Sequence, residues 1–540
     1  MFSSIGAAVT VRNDRHVDIA ISAIPNGVSQ YDSFLFCREG SEIKCYQRRC
    51  DHMGGLLSLS SDGLARCPLH GWVFNPHKGS YENIQVSKRP ESFAVNPKSN
   101  SIRVTERDGV LSYPVLEPAS SRLEVSFFGH ACLYFKGIDF RFAIDPWLIG
   151  PAFVSGWWTS IPPVRGWRHT LSECDFIFIS HNHPDHLNPT TLSEIKRDVP
   201  MVVPDFSSSS VEKTLRSFGF NNIYPLELGQ AYNLSGTSLI FSILPCGDGR
   251  DDSGIYLNYG DFSFLSTIDS NDLNSGVLPH APTILATCAS PGASGHPLCY
   301  DDIAPDVKAS ILKRKKVSLL KTQVDLVKRT VPRYFMPYAS FFEPRAKMDY
   351  EIQQNNVSLS ADDFVDLIPP PLLNVKKYDH FVFDGGQLIY TDLLEREDHL
   401  DDPEEWINRN LIQQPIPSDS EVAKYLENSG FEDNLTLYLT LCSDDFVDAY
   451  SHFRCDFSQT PLKVEIMTTP PEWETICSSS DNHGQLMWMK VRVKAFAYVM
   501  SNRLSWEDLS IGFQCRFKRT PDIYNTRFWD FFTNHYIGKL

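Results

Sequence analysis

Along the first hundred residues short apolar runs recur between turns. FLFCRE, EIKCYQ, SFAVNP and SIRVTE read as brief strands, interrupted by two glycine-containing segments that carry Cys and His. This pattern predicts a small all-β unit over residues 1–107. After a linker-like stretch, 108–122, the runs LEVSFFGHACLYFK, DFRFAID and DFIFIS read as longer strands, and later strands alternate with helical segments. Such alternation predicts an α/β domain, here over residues 123–395. Between Lys308 and Arg329, apolar residues at Ile311, Leu312, Leu319, Leu320, Val324 and Leu326 form one face of an amphipathic helix, expected on that domain's surface with its charges in solvent. The prolines Pro369, Pro370 and Pro371 break the pattern, and an acidic run, Glu395 to Glu405, leads through a connector at 396–415 into a smaller α+β unit at 416–540.

Composition narrows the function. A chain of 540 residues suggests several folded units at ~150 residues per domain, and 42% apolar content excludes bulk disorder. Fifty basic against 66 acidic residues leave a net charge of −16, a field that repels nucleic acid. No apolar run approaches the ~18 residues of a membrane span and the start has no long apolar leader, so no transmembrane segment and a cytoplasmic location are expected. Thirteen scattered cysteines are an odd number, a poor match to a secreted disulfide framework. Cys132, Cys174, Cys246, Cys288, Cys299, Cys442, Cys455, Cys477 and Cys515 stand alone and are expected as small buried apolar residues. Cys50 and Cys67 are different.

They belong to CDHMGG and CPLHGW, which form C-x-H, fourteen intervening residues, then C-x2-H: Cys50, His52, Cys67 and His70. Two Cys and two His in neighbouring hairpin loops can hold a tetrahedral zinc, or a 2Fe-2S cluster in which two histidines replace two thiolates on one iron. The pattern resembles the Rieske iron–sulfur family. Gly54, Gly55 and Gly71 follow the histidines and allow tight turns that aim amides at cluster sulfurs. In respiratory-type Rieske proteins each loop carries a further cysteine; Gly55 and Leu69 stand there instead, which resembles the ferredoxin or oxygenase kind. Histidine ligation raises the potential of such a cluster to roughly −150 to +300 mV, suited to a one-electron relay that needs a second centre. His77 is assigned no role.

A second constellation lies in FIFISHNHPDHLNP, where His181, His183, Asp185 and His186 follow an apolar strand and Asn188 with Pro189 makes a helix start. Alternate spacing lets His181 and His183 point the same way, and the turn brings Asp185 and His186 to a second metal position. This resembles the metallo-β-lactamase fold, an αββα sandwich whose loops bind one or two zinc or iron ions. The segment from Gly129, GHACLYFKGIDFRFAIDPWL, is similar to the opening hairpin of its ascorbate-lactonase-like branch, and FSFLSTIDS implies Asp269 as the bridging carboxylate. ILPCGDGRDDSG has no histidine where the fold usually supplies one. Either Asp248, Asp251 or Asp252 substitutes, which favours iron or manganese over zinc, or the site is incomplete. His130 is either a site-lining residue or a hydrogen-bonded strand histidine.

The two units in this order resemble the CMP-N-acetylneuraminic acid hydroxylase family. The likeness is carried by DPWLIGPAFVSGWW from Asp145, the histidine loop, PGASGHP from Pro291 and LSIGFQCRFKRTPDIYNTRFWDFF from Leu509, and is thin between Lys308 and Asp401. It implies a monooxygenase that converts the N-acetyl group of CMP-sialic acid to N-glycolyl, using dioxygen and electrons from NADH through cytochrome b5 and its reductase. Trp147, Trp157, Trp158 and Trp167 with Arg165 and Arg168 either hold a nucleotide base and an anionic sugar or form a packed cover; Trp157, Trp158 and Arg165 are the candidate substrate contacts. Rival readings are the same architecture on another amide or nucleotide sugar, a metal-dependent hydrolase with a redox-sensing Rieske domain, and a non-enzymatic electron carrier.

Overall fold

A computed structural model describes the chain apart from residues 8, 13–14, 32, 52–54, 69–70, 85, 107–108, 119, 291–294, 356–357, 479–483, 523 and 538–540. The first unit is built from three small antiparallel sheets: Gly27–Tyr31 with Phe34–Glu39 and Glu42–Gln47, a four-stranded sheet between Ser58 and Tyr81, and Arg15–Ala20 with Ser101–Glu106 and Phe93–Asn96. Strand Phe34–Glu39 is apolar from Phe34 to Cys37 because its two faces serve two cores. Phe34 and Phe36 pack on Ile19, Ile102 and Val104, while Leu35 faces the cluster around Cys50 and Cys67.

The second unit is a sandwich. An eight-stranded mixed sheet runs from Ile223–Leu226 through Phe176–Phe178 and Arg122–Gly129 to Gln387–Asp392, and a seven-stranded sheet runs from Phe2–Ala7 through Ser253–Tyr259 to Tyr334–Tyr338. Parallel strands Phe176–Phe178 and Met201–Pro204 are buried throughout, as strands covered on both faces must be. Between the sheets, Phe135 stacks on Phe142 and Phe142 on Phe176, with ring centroids 4.8 and 4.7 Å apart. Helices close the outer faces, the longest being Pro305–Thr330.

That helix departs from the expected solvated one. Lys315 is buried, its Nζ donating to the His296 carbonyl at 2.5 Å, and Ser318 Oγ accepts the Leu56 amide of the first unit at 3.3 Å. The helix is therefore a seat for the first unit. Among the described residues no helix is long and apolar enough to cross a membrane. Of the lone cysteines, Cys288 is half-buried and Cys477 exposed, against expectation; the other seven are buried.

The third unit carries a five-stranded sheet in which Leu435–Cys442 pairs in parallel with Gln485–Arg492. Its core is continuous with Trp147, Phe153, Trp157, Cys299 and Phe342 of the second unit, so the two fold onto one another. The expected connector at 396–415 contains helix Pro403–Asn410, whose Ile407 enters this shared core.

The first unit likewise does not own all of residues 1–107. Strand Phe2–Ala7 pairs with Gln230–Leu234 at the edge of the seven-stranded sheet, and the Phe2 ring lies edge-on to Phe176, Tyr224 and Phe241 at 5.4, 5.2 and 5.7 Å. A lone half-buried aromatic pins the N-terminus across the unit boundary. Phe2→Ala is expected to cost about 2 kcal/mol through loss of these ring contacts and buried area. The check is a lower denaturant midpoint at unchanged slope.

Candidate metal centre

The histidine loop leaves strand Phe176–Phe178 and enters helix Pro189–Ser193, where Asn188 caps by accepting the Thr191 amide at 2.9 Å. The Asn188 side chain also donates to the Pro151 and Pro184 carbonyls, and the His183 carbonyl accepts from the amides of His186 and Leu187. The loop is held from both ends.

Asp145 orients the imidazoles. Fully buried beyond strand Arg141–Ile144, it accepts the Ser180 amide at 2.8 Å, the Ser180 hydroxyl at 2.7 Å and His186 Nδ1–H at 3.0 Å. Because Ser180 Oγ donates to Asp145, it accepts from His181 Nδ1, 2.9 Å away. Both Nδ1 atoms thus carry protons, and Nε2 of His181 and of His186 present lone pairs inward. A carboxylate that fixes a ligand tautomer in this way is the usual outer partner of a metal-bound histidine.

His130 Nδ1, Asp185 Oδ1, His186 Nε2, Asp252 Oδ1 and Asp269 Oδ1 are buried and, among the described residues, without a hydrogen-bond partner. Each such orphan costs about 1–3 kcal/mol, and four of them, on His130, Asp185, His186 and Asp269, belong to one group of possible ligands, which marks a position built for a cation. Two triads, His130–Asp185–His186 and His181–His186–Asp269, have their ligand atoms within 4.8 Å of one another and share His186. Nitrogen and oxygen donors without thiolate suit iron, manganese or zinc. The residues fit one or two such ions.

Charge agrees. Burial opposes a proton on His186, yet Asp185, Asp269 and Asp145 raise its pKa well above the ordinary value. Burial likewise opposes charge on His183, but the hydrogen bond and charge of Glu507 push it up to about 9. Asp252 is pushed up to about 7 by burial, against the pull of Arg250. A metal ion would replace these displaced protons.

His130 is not on a strand: it sits in the turn after Arg122–Gly129 with φ 41°, buried, its Nε2 3.2 Å from Asp185 Oδ2. The three candidate aspartates separate. Asp248 is spent on Arg250, accepting its Nε at 2.8 Å and its amide at 3.1 Å, and Asp251 is bound by Ser208. Asp252 is the one that approaches a loop imidazole, its Oδ1 3.7 Å from His181 Nδ1, while its Oδ2 lies 3.5 Å from Arg250. Of the expected substrate contacts only Trp157 lines the cavity, stacked on Phe342 at 3.5 Å. Trp158 is fully buried with its indole on the Ser155 carbonyl, and Arg165 is exposed, paired with Glu395 at 3.1 Å; neither faces the cavity.

In the first unit, Cys50 and Cys67 lie buried among Tyr46, Leu57, Trp72, Phe74 and Tyr81. Their loops close through Cys50 N to the Gly55 carbonyl and Cys67 N to the Trp72 carbonyl, each 2.8 Å, with Gly71 at φ 75°, a left-handed turn that favours glycine. The Tyr81 hydroxyl reaches Cys50 Sγ at 3.6 Å. His52 and His70 lie outside the described residues. A cavity of about 640 Å³ joins this unit to the histidine loop: Asp51 and Trp72 form part of its wall, His181, His183 and Asp269 another part, and Glu507, Tyr524 and Trp529 of the third unit the rest. Arg49, beside Cys50, pairs with Asp272, three residues after Asp269. Asp145, Ser180 and Glu507 carried no role in the sequence reading; the first ends a strand quoted for its apolar pattern, and Glu507 lies in a segment with no motif.

Family models match twice: a Rieske [2Fe-2S] domain over residues 12–97 and a beta-lactamase superfamily domain over 124–239. The chain is a two-module protein that couples an iron–sulfur domain to a metallo-β-lactamase-like sandwich. Along nearly its whole length it is similar to cytidine monophosphate-N-acetylneuraminic acid hydroxylases. That of Danio rerio is 27% identical and that of Mus musculus 28%, each match covering 94% of this chain and 89% and 91% of the relative. Among solved structures, CmlA, a diiron beta-hydroxylase from Streptomyces venezuelae, is 18% identical over 50% of this chain and 55% of that one, with a TM-score of 0.32.

Two outcomes are expected. Tyr81→Phe removes the hydrogen bond to Cys50 Sγ and, with Cys50 as the expected cluster ligand, should lower the cluster potential while leaving its visible spectrum, read by redox titration. Asp145→Ala frees His181 and His186 from their tautomers and should weaken metal binding at the loop about 10–100-fold, read by metal titration.

Proposed function

We propose that this chain is an iron-dependent monooxygenase that hydroxylates the N-acetyl group of CMP-N-acetylneuraminate to N-glycolyl, with electrons relayed by its Rieske cluster. The observation that carries the reading is one cavity bounded both by the Cys50 loop and by the His181–His186 loop. The likeness to hydroxylases over 94% of the chain supports the substrate.

The cluster would be held by Cys50, His52, Cys67 and His70, and the second site by His181, His183, Asp185, His186 and Asp269, with His130 and Asp252 at its edge. Iron bound there supplies the activation of dioxygen that an unactivated methyl group requires. The chain's own residues do the rest. Asp145 and Ser180 hold the imidazoles in their acceptor tautomers. Arg250 and Arg519 face the cavity and suit the phosphate and carboxylate of a nucleotide sugar, while Trp157 and Trp529 offer apolar walls to base and sugar.

Inserting one oxygen atom into C–H and reducing the other to water takes two electrons and two protons. A one-electron relay must therefore be charged twice per turnover. A donor such as cytochrome b5 with its NADH-dependent reductase, or an analogous carrier, meets that need, and a cytoplasmic location would place the chain with such a donor and with NADH.

The test is mass spectrometry of CMP-N-acetylneuraminate incubated with the iron-loaded protein, cytochrome b5, its reductase and NADH, in air and without dioxygen. Gain of one oxygen atom only in air is expected. His183→Ala should keep the cluster spectrum and make no product, and Cys67→Ala should lose both. An unchanged substrate, with the wild-type cluster reducible, would remove this substrate; product formed without dioxygen would remove the monooxygenase.

A further inference from the structure

The third unit has a part in the metal site that no motif announces. His183 Nδ1 lies 2.9 Å from His181 Nε2, and its other nitrogen, Nε2, lies 3.5 Å from Glu507 Oε2. Because the Asp145–Ser180 relay puts the His181 proton on Nδ1, His181 Nε2 can only accept. The neutral His183 that a cation would bind then has two options. With its proton on Nδ1 it donates to His181 and closes the site with an N–H···N bond. With its proton on Nε2 it donates to Glu507, and two lone pairs face each other across a gap that a cation fills.

Glu507 is placed to choose the second option. It opens helix Glu507–Ile511, and its Oε2 also accepts from Thr533 Oγ1 at 3.1 Å, on helix Thr526–Asn534 of the same unit. The preceding Trp506 is fully buried, its indole donating to the Tyr425 hydroxyl at 2.9 Å. The helix end meets the second unit backbone to backbone. A Cβ on Gly512 would lie 2.0 Å from the Phe153 carbonyl oxygen, and one on Gly156 would lie 2.3 Å from that of Gly512. Trp157 Nε1 donates to the Ile511 carbonyl at 3.2 Å.

The turn that receives the helix runs left-handed through three non-glycine residues, Phe153, Val154 and Ser155, at φ 51°, 51° and 70°. A conformation that costly persists where surrounding contacts over-determine it. The same turn sets the Phe153 ring edge-on to His183, centroids 5.6 Å apart. His183 is clamped from both sides of the inter-unit contact.

We propose that Glu507 is a positioning residue for the metal centre, supplied by the third unit, which fixes His183 in the tautomer that presents Nδ1 to a divalent cation. Metal binding and docking of the third unit are then one event. The inference rests on the metal-site reading above and concerns the ligand geometry alone.

The test titrates Mn²⁺ into chelator-treated full-length protein whose cluster absorption is intact, following free Mn²⁺ by electron paramagnetic resonance. Glu507→Ala is expected to bind one ion about 10–100-fold more weakly than wild type, the loss typical of removing an outer-sphere partner of a ligand. Glu507→Gln, whose amide oxygen still accepts from Nε2–H, should recover most of that affinity. Glu507→Asp keeps the charge but withdraws the carboxylate, and should be weakened like the alanine variant; it decides the matter if the alanine variant does not fold. Gly512→Ala, with Glu507 present but the helix displaced, should also bind weakly. Wild-type affinity in Glu507→Ala or Glu507→Asp overturns the inference. A wild-type protein that takes up no Mn²⁺ at all overturns the metal-site reading beneath it.

Discussion

Imidazoles and carboxylates buried beside one another without proton donors are unstable unless a cation sits among them. In this chain Asp145 imposes that condition: by taking the protons of His186 Nδ1 and Ser180 Oγ it turns His186 Nε2 toward Asp185 and Asp269 and His181 Nε2 toward His183 Nδ1. Much else follows. The strand before Asp145 is buried on the sandwich core, the loop is capped by Asn188, and the third unit closes over His183. Each fixes an atom that would otherwise relax to satisfy its own hydrogen bonds.

The architecture also explains why an iron–sulfur module is attached to a metallo-hydrolase-like sandwich. The Cys50 loop is locked to the second unit by the Arg49–Asp272 ion pair and by the Leu56 amide on Ser318. Asp272 belongs to the segment that carries Asp269, so the loop beside the cluster and the carboxylate beside the second site share a short stretch of backbone. Electron transfer within one chain needs such closeness; a hydrolase does not. The first unit is seated on helix Pro305–Thr330, which is why that helix buries Lys315 and Ser318 rather than exposing its whole charged face.

Legibility in the sequence tracked the range of the interaction. The Cys/His spacing and the HxHxDH loop are local, and a small β unit followed by an α/β domain could be read because periodicity is local too, while the sandwich came only from the likeness that the histidine loop carries. Features that depend on distant partners were not readable. Phe2–Ala7 looks like any short strand until Gln230–Leu234 pairs with it, and Glu507 looks like an ordinary helix-start residue until His183 faces it. Asp248, Asp251 and Asp252 are equivalent in sequence and separate only when Arg250 Nε takes Asp248, Ser208 takes Asp251 and Asp252, shared with Arg250, approaches His181. Composition grouped Trp157, Trp158 and Arg165, but tryptophans two faces apart on a tight turn do not share a wall, and only Trp157 reaches the cavity.

On the function proposed above, cluster and second metal share one cavity and act on each other inside a single chain. This is tested most directly by the spin relaxation of the reduced cluster, measured by pulsed electron paramagnetic resonance in dilute protein with the second site loaded with paramagnetic Mn²⁺ or with diamagnetic Zn²⁺. The account predicts faster relaxation with Mn²⁺, independent of protein concentration. Identical relaxation in the two samples, each shown to carry its metal, would contradict it.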